Sequence, residues 1–153
     1  MWPVGMEPTW AIDPLDGTTN FHHRMRCCCV SIGLLVDRQP VLGVIYDPVN
    51  DEKYCAVKGE GATLNDKPLA SSKCEHIEKA LLCTGVGYDR TERYSAHLCG
   101  CMTNFIGAGC RSMRVLGSCA LSMAYVAAGR LDAYYEVGIC PWDVAAGAII
   151  VGA

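Results

Sequence analysis

Residues 10–21 read WAIDPLDGTTNF and place two carboxylates, Asp13 and Asp16, on either side of a proline and a leucine. A residue that precedes proline favours an extended backbone, and a tetrad that runs from proline to glycine suits a turn. Gly17 can adopt backbone angles that other residues avoid. The segment therefore predicts a strand that ends in a turn, displays both aspartates on one rim and points the N–H groups of Gly17 and Thr18 outward.

Two carboxylates this close repel each other unless a proton or a cation lies between them. Together with the Leu15 carbonyl they form an all-oxygen ligand set, which suits a hard ion such as magnesium. Free N–H groups at the start of a helix bind phosphate well. An ordinary turn of aspartate and glycine with solvated carboxylates is also compatible with this sequence. The segment alone therefore does not decide between a metal site and a simple turn.

Two rival motifs fit the spacing poorly. A calcium-binding helix-loop-helix needs acidic residues at alternate positions and a later glutamate, whereas Asp13 and Asp16 are three residues apart. A phosphatase with a nucleophilic aspartate places its second carboxylate two residues on. The extra residue and the proline therefore argue against a covalent mechanism.

The composition predicts one globular domain in the cytoplasm. Hydrophobic residues make up 51% of the 153 residues and charged residues 19%, which permits a packed core and argues against disorder. The net charge is −3 without a lysine or arginine cluster, so neither nucleic acid nor an anionic membrane is expected as a partner. No apolar run approaches the ~18 residues of a membrane span, and no signal peptide is visible.

Cysteine is unusually frequent, with 11 residues. A disulfide framework is typical of short secreted chains, which this sequence does not resemble. A zinc site would need paired ligands, but the nearest patterns are CGC at 99–101 and the His22-His23 pair. We therefore expect free thiols that act as small buried hydrophobic side chains.

The chain divides into two parts within one domain. Residues 1–75 predict an antiparallel sheet, because β-branched runs alternate with short polar turns. Residues 76–153 predict a mixed sheet with helices, because strand and helix patterns alternate. The helix at 117–130, with Ser118 as N-cap and Gly129 as its end, is apolar on all sides and is expected to be buried between layers. The predicted strands are 9–13, 27–36, 40–47, 53–57, 79–85, 110–116 and 131–137, and the other helices are 90–105 and 141–151.

A second motif, YYEVGICPWDVAAG, occupies residues 134–147. Asp143 falls in the first turn of the last predicted helix, behind Pro141, where a carboxylate interacts favourably with the helix dipole. Glu136 ends a strand, where a solvated rim position is the plain interpretation.

WAIDPLDGTTNF together with GICPWDVAAGAIIV resembles the inositol monophosphatase family of magnesium-dependent, lithium-sensitive phosphatases. The resemblance extends over residues 9–153. It implies a layered α/β/α/β/α sandwich, a homodimer when full length, and hydrolysis of inositol monophosphates such as inositol 1-phosphate through two-metal activation of water. Related phosphatases that act on galactose 1-phosphate, histidinol phosphate or nucleotide phosphates remain alternatives.

The resemblance also assigns roles to residues. It implies that Asp13, the Leu15 carbonyl, Asp16 and Asp143 bind Mg²⁺, and that Asp13, Asp16, Thr18 and Asp143 are catalytic. Glu136 is expected to recognise substrate hydroxyls. The substrate contacts it implies are Leu15, Asp16, Gly17, Thr18, Gly117, Ser118, Cys119, Glu136 and Asp143.

The sequence departs from the family pattern at both ends. Family members carry an upstream Gly-Glu-Glu segment that supplies a metal-binding glutamate, and an earlier aspartate that pairs with the residue equivalent to Thr18. They also continue beyond the final IIVGA. These differences predict a fragment, with a catalytically inactive truncated form as an alternative. They also predict that apolar faces, such as that of the 117–130 helix, lose their covering layers.

Overall fold

A computed structural model describes residues 5–153. The first part of the chain forms a six-stranded antiparallel sheet in which the strands lie in sequence order. One short helix, α1 (Thr18–His22), lies between the first two strands. The strands are β1 (Thr9–Asp16), β2 (Cys29–Val36), β3 (Gln39–Asp47), β4 (Glu52–Val57), β5 (Gly61–Leu64) and β6 (Lys67–Pro68).

The second part alternates strand and helix, as predicted. Its elements are β7 (Leu81–Thr84), α2 (Glu92–Gly107), β8 (Ser112–Arg114), α3 (Cys119–Ala127), β9 (Ala133–Tyr135) and α4 (Pro141–Gly152). Its strands lie in the order β8-β7-β9, and both pairings are parallel. The expectation of a mixed sheet is therefore wrong for the described residues. A helix connects each strand to the next, which returns the chain to run in the same direction.

Helices α3 and α4 pack together, with α4 against the larger sheet and α3 between the two sheets. Helix α2 contacts the other side of the smaller sheet through Phe105. Successive side chains along a strand point to opposite faces of its sheet, so neighbouring residues of β9 contact different helices. Burial raises the pKa of the Cys119 thiol on α3, and the nearby Tyr134 side chain opposes that shift, so Tyr134 faces α3. The Tyr135 ring lies instead 5.2 Å from the Phe105 ring of α2. The main core lies between the larger sheet and the two central helices, where Leu121 and Ile150 are almost fully buried.

Paired glycines allow α4 to lie unusually close to the larger sheet. Gly33 and Gly43 face each other on β2 and β3. A Cβ atom at Gly33 would lie 2.7 Å from the Ala145 Cβ, and one at Gly43 would lie 2.6 Å from the Ala146 carbonyl oxygen. Such distances are well below van der Waals contact, so only glycine permits this separation.

The contact between the two central helices depends on a third small residue. A Cβ atom at Gly147 of α4 would lie 2.5 Å from the Met123 sulfur of α3. The polarizable thioether of methionine adapts to irregular gaps, so Met123 fills the space that the missing side chain leaves. Small residues therefore face both neighbours of α4.

The outer face of the larger sheet is apolar and incompletely covered. Trp10 and Ile12 of β1 remain 56% and 52% exposed. Their cross-strand neighbours Leu34 and Ile32 are half-buried. The prediction that the 117–130 helix would be uncovered is wrong, because six of the nine residues of α3 are buried. Exposed apolar surface lies instead on the sheet, since the two sheets enclose α3.

All 11 cysteines are free thiols, as predicted. Four of them are buried, one is exposed, and six are half-buried, so the expectation of uniformly buried thiols is only partly correct. No helix within residues 5–153 is long and apolar enough to cross a membrane.

Substitution of Gly43 by alanine tests the close approach of α4. We expect Gly43→Ala to lower the free energy of unfolding by about 1–3 kcal/mol, because the added methyl group overpacks the interface with Ala146 and Ile149. Chemical denaturation of the purified protein measures the change. The matched control is Gly100→Ala on α2, where the methyl group meets no atom within 4 Å. That variant should gain about 0.5–1 kcal/mol from the better helix propensity of alanine.

Candidate metal centre

An irregularity in β1 brings Asp13 and Asp16 to the same site. Residues three apart in a regular strand point to opposite faces of a sheet. Here Asp13 pairs with Ser31 and Asp16 with Cys29, so the register shifts between them. The expected turn is therefore a strand that continues through a bulge, and a bulge can redirect a side chain. The Leu15 N–H donates a hydrogen bond of 2.9 Å to Oδ1 of Asp13, which stabilises the bulge.

The first turn of α4 supplies the third carboxylate. The Cys140 N–H donates a hydrogen bond of 2.6 Å to Oδ2 of Asp143 and so orients that side chain at the helix start. The Ser31 hydroxyl, on the residue paired with Asp13, donates to the Trp142 carbonyl at 3.3 Å. This contact ties the beginning of α4 to the strand next to β1.

Asp13, Asp16 and Asp143 form the carboxylate cluster. Each offers one oxygen, and these oxygens lie within 4.8 Å of one another. Asp16 is buried, and the other two are half-buried. This is the grouping that the family resemblance implies. Within residues 5–153 no group of three potential metal ligands includes a cysteine or histidine, so the zinc alternative gains no support there.

Hydrogen-bond donors on α3 hold Asp16. The Ser118 hydroxyl donates to Oδ2 of Asp16 at 2.5 Å, and the Ala120 N–H donates to the same oxygen at 2.8 Å. Burial raises the pKa of Asp16, these donors lower it, and the charge of Asp13 raises it again. The net shift is upward, so the ionised form of Asp16 is incompletely compensated by the protein.

The ionised form of Asp143 is also incompletely stabilised by its surroundings. Burial raises its pKa most, the Cys140 N–H lowers it, and the charges of Asp16, Asp13 and Glu136 raise it. A divalent cation between the carboxylates would remove this repulsion, and hard cations prefer carboxylate oxygens. The donor set therefore fits Mg²⁺ or a similar hard ion.

The loop beside the cluster is held by Asn20, to which the family resemblance assigns no role. Asn20 is buried, and its amide nitrogen donates to the carbonyls of Cys27 and Leu116 at 2.7 Å each. Gly17, the N-cap of α1, has φ of +82°, and a Cβ atom there would lie 2.7 Å from the Cys27 carbonyl oxygen. Asn20 thus joins the start of α1 to the approach to α3.

The other predicted substrate residues surround the cluster to different extents. Thr18 and Gly117 are exposed, and Glu136 is half-buried, so these three have surface available to a ligand. Ser118 and Cys119 are only 3% and 6% exposed. Ser118 also caps α3 by accepting the Leu121 N–H, so its hydroxyl is already engaged by protein partners. Direct substrate contacts by these residues stay predictions.

A second buried carboxylate besides Asp16, that of Asp47, serves a different purpose. One Asp47 oxygen accepts the N–H groups of Val49 and Asn50, and the other accepts the Asn50 side-chain amide at 2.7 Å. This pattern satisfies a buried carboxylate within its own turn. Asp47 therefore closes the turn after β3 and is not part of the carboxylate cluster.

Comparison with known proteins finds the same family along almost the whole chain. The profile of the Inositol monophosphatase family matches residues 3–153. Inositol monophosphatase 2 of Solanum lycopersicum is 49% identical over 146 residues, which cover 95% of this chain and 55% of that protein. Inositol monophosphatase of Dictyostelium discoideum is 42% identical over 147 residues, which cover 96% and 54%. The structure of inositol monophosphatase from Anabaena (Nostoc) matches with a TM-score of 0.88 at 46% identity, covering 95% of this chain and 57% of that chain.

The fold and the carboxylate cluster define a layered α/β protein with a candidate centre for a hard metal ion. The chain belongs to the inositol monophosphatase family. The predicted fold class is confirmed by the structural match. The chain spans about half the length of the curated relatives it matches.

Removal of the Asn20 amide tests its role in holding the site. We expect Asn20→Asp to lower the free energy of unfolding by about 1–3 kcal/mol, because a carboxylate keeps the shape but cannot donate to the two carbonyls. Urea denaturation measures the change at neutral pH. Asn104→Asp, on the exposed part of α2, makes the same chemical change and should lower stability by less than about 1 kcal/mol, because the new charge only opposes the dipole at the end of the helix. Equal effects of the two variants would contradict the assignment.

Proposed function

We propose that the protein carrying this chain is a metal-dependent phosphomonoesterase that hydrolyses inositol monophosphates, with inositol 1-phosphate as the representative substrate. The single observation that carries the proposal is the carboxylate cluster of Asp13, Asp16 and Asp143, whose oxygens lie within 4.8 Å of one another. Family membership and the names of the relatives support the reaction class.

The proposed ion is Mg²⁺. It would be held by the carboxylates of Asp13, Asp16 and Asp143 and by the Leu15 carbonyl. When bound, such an ion makes a water molecule more acidic and neutralises charge on phosphate oxygens. Asp16 is suited to a fixed role, because Ser118 and Ala120 immobilise one of its oxygens. Asp143 is likewise restrained on one oxygen by the Cys140 N–H, so its other oxygen remains for a ligand.

The residues next to the cluster would bind the two halves of the substrate. We assign the phosphate to the N–H groups of Gly17 and Thr18, and the orientation of the attacking water to the Thr18 hydroxyl. We assign the substrate hydroxyls to Glu136, whose charge contributes to the raised pKa of Asp143 and therefore lies near the cluster. The other residues that we propose to contact the inositol ring are Gly117, Ser118 and Cys119.

Two further proposed properties, lithium sensitivity and a homodimer of the full-length protein, follow from the family resemblance alone. The proposed cytoplasmic location follows from the composition. The net charge of −3 supports a small-molecule substrate over nucleic acid or an anionic membrane.

Neutralisation of one carboxylate at a time tests the metal centre. We expect Asp13→Asn and Asp143→Asn each to weaken Mg²⁺ binding and to lower phosphate release from inositol 1-phosphate by roughly 100-fold or more, because each removes an anionic ligand. Calorimetry measures Mg²⁺ binding, and a phosphate assay with Mg²⁺ and then with chelator measures activity.

The matched control is Asp37→Asn in the exposed turn between β2 and β3. It removes the same charge, and asparagine tolerates the φ of +51° at this position. This variant should keep normal Mg²⁺ binding and activity. Folded Asp13→Asn and Asp143→Asn proteins with unchanged Mg²⁺ affinity and turnover would refute the proposed function.

A further inference from the structure

The side chain of Glu136 is held by two residues that lie outside the predicted site. β7 and β9 are neighbouring parallel strands, and Thr84 pairs with Tyr135 at their carboxyl ends. Gly85 and Glu136 are the next residues on each strand, so they emerge side by side. Ligands of α/β sheets are commonly bound at this end of the strands.

Gly85 provides space for the Glu136 carboxylate. The three atoms that a Cβ atom at Gly85 would meet first are both carboxylate oxygens of Glu136 and the carbon between them. Gly85 is buried, and it is not among the glycines with positive φ. The backbone conformation at this position is therefore open to other residues, and the reason for glycine is the volume that the carboxylate occupies.

Tyr134 orients the same carboxylate by a hydrogen bond. Its hydroxyl donates to Oε2 of Glu136. Burial raises the pKa of Tyr134, and the neighbouring Cys119 and Glu136 raise it further, so the hydroxyl stays protonated as a donor. Among the described residues the Glu136 carboxylate has no other hydrogen-bond partner, so Oε1 can accept a substrate hydroxyl.

No cation competes for this carboxylate among residues 5–153. The two ion pairs found there join Lys53 to Asp66 and Arg130 to Glu52. The Glu136 carboxylate is therefore not engaged in an ion pair there, and hydrogen bonds to carboxylates are stronger than those between neutral groups.

We propose that Gly85 and Tyr134 are positioning residues for substrate specificity, which hold the Glu136 carboxylate in the one orientation that accepts a hydroxyl of the substrate alcohol. The inference rests on the proposed function, because it takes Glu136 to contact the substrate. Gly85 acts by leaving space for the carboxylate and Tyr134 by binding Oε2. Neither residue belongs to the carboxylate cluster, so the hydrolytic step itself does not depend on them.

The first test compares two phosphate esters. Gly85→Ala and Tyr134→Phe are expected to raise KM for inositol 1-phosphate by roughly 10-fold to 100-fold with little change in kcat, because a charged hydrogen bond is lost or misaligned. With p-nitrophenyl phosphate, which has no ring hydroxyl, both variants should match the wild type. Equal losses with both esters, or no loss with either, would overturn the proposal.

Two control variants match these changes. Gly100→Ala adds the same methyl group where it meets no atom within 4 Å. Tyr135→Phe removes the hydroxyl of the neighbouring tyrosine, which has no hydrogen-bond partner within the described residues. Both controls should keep the wild-type KM for inositol 1-phosphate. If Gly85→Ala does not fold, Tyr134→Phe carries the same test, since it adds no atom.

A double-mutant cycle shows whether Gly85 acts through Glu136. Glu136→Ala removes the carboxylate, so Gly85→Ala should have no further effect on KM in that background. Additive effects would overturn the proposal. If the wild-type protein releases phosphate from neither ester, the proposed function fails. The positioning role is then decided by crystal structures of the wild type and Gly85→Ala: a displaced Glu136 carboxylate supports it, and an unmoved one refutes it.

Discussion

The close contact between α4 and the larger sheet is the constraint on which the site depends. Gly33 and Gly43 lie opposite each other, and any side chain at either position would overlap Ala145 or Ala146. Asp143 lies two residues before Ala145, so the depth at which the helix packs also sets the position of this carboxylate. A helix held further from the sheet by ordinary side chains would leave Asp143 away from the aspartates of β1.

The burial and closeness of the three carboxylates make their negative charges energetically unfavourable. Burial and mutual repulsion raise the pKa of both Asp16 and Asp143 even though protein donors stabilise each of them. The folded state therefore gains from a cation at this place, since a bound ion that does not bind the unfolded chain adds to stability. Binding of a hard metal ion by these carboxylates would therefore stabilise the folded state.

Links between distant parts of the chain support this arrangement. Asn20 joins the loop after β1 to the approach to α3, and Ser118 joins the start of α3 to Asp16. Ser118 could be predicted as an N-cap from its place before an apolar helix, but its bond to Asp16 could not. Asn20 carried no local signal, because its importance comes from burial against two carbonyls that the chain supplies from elsewhere.

The sequence by itself determined most of the elements and the residue types of the carboxylate cluster. Proline, glycine and hydrophobic periodicity act over a few residues. Local sequence therefore predicts the alternation of strands and helices in the second half, the start of α4 at Pro141 and the two aspartate motifs. The parallel direction of the smaller sheet, the bulge that turns Asp13 and Asp16 to one side, and the place of the Glu136 carboxylate over Gly85 were decided only by the tertiary structure. Each of these depends on contacts between segments far apart in the chain, where packing overrides local preference.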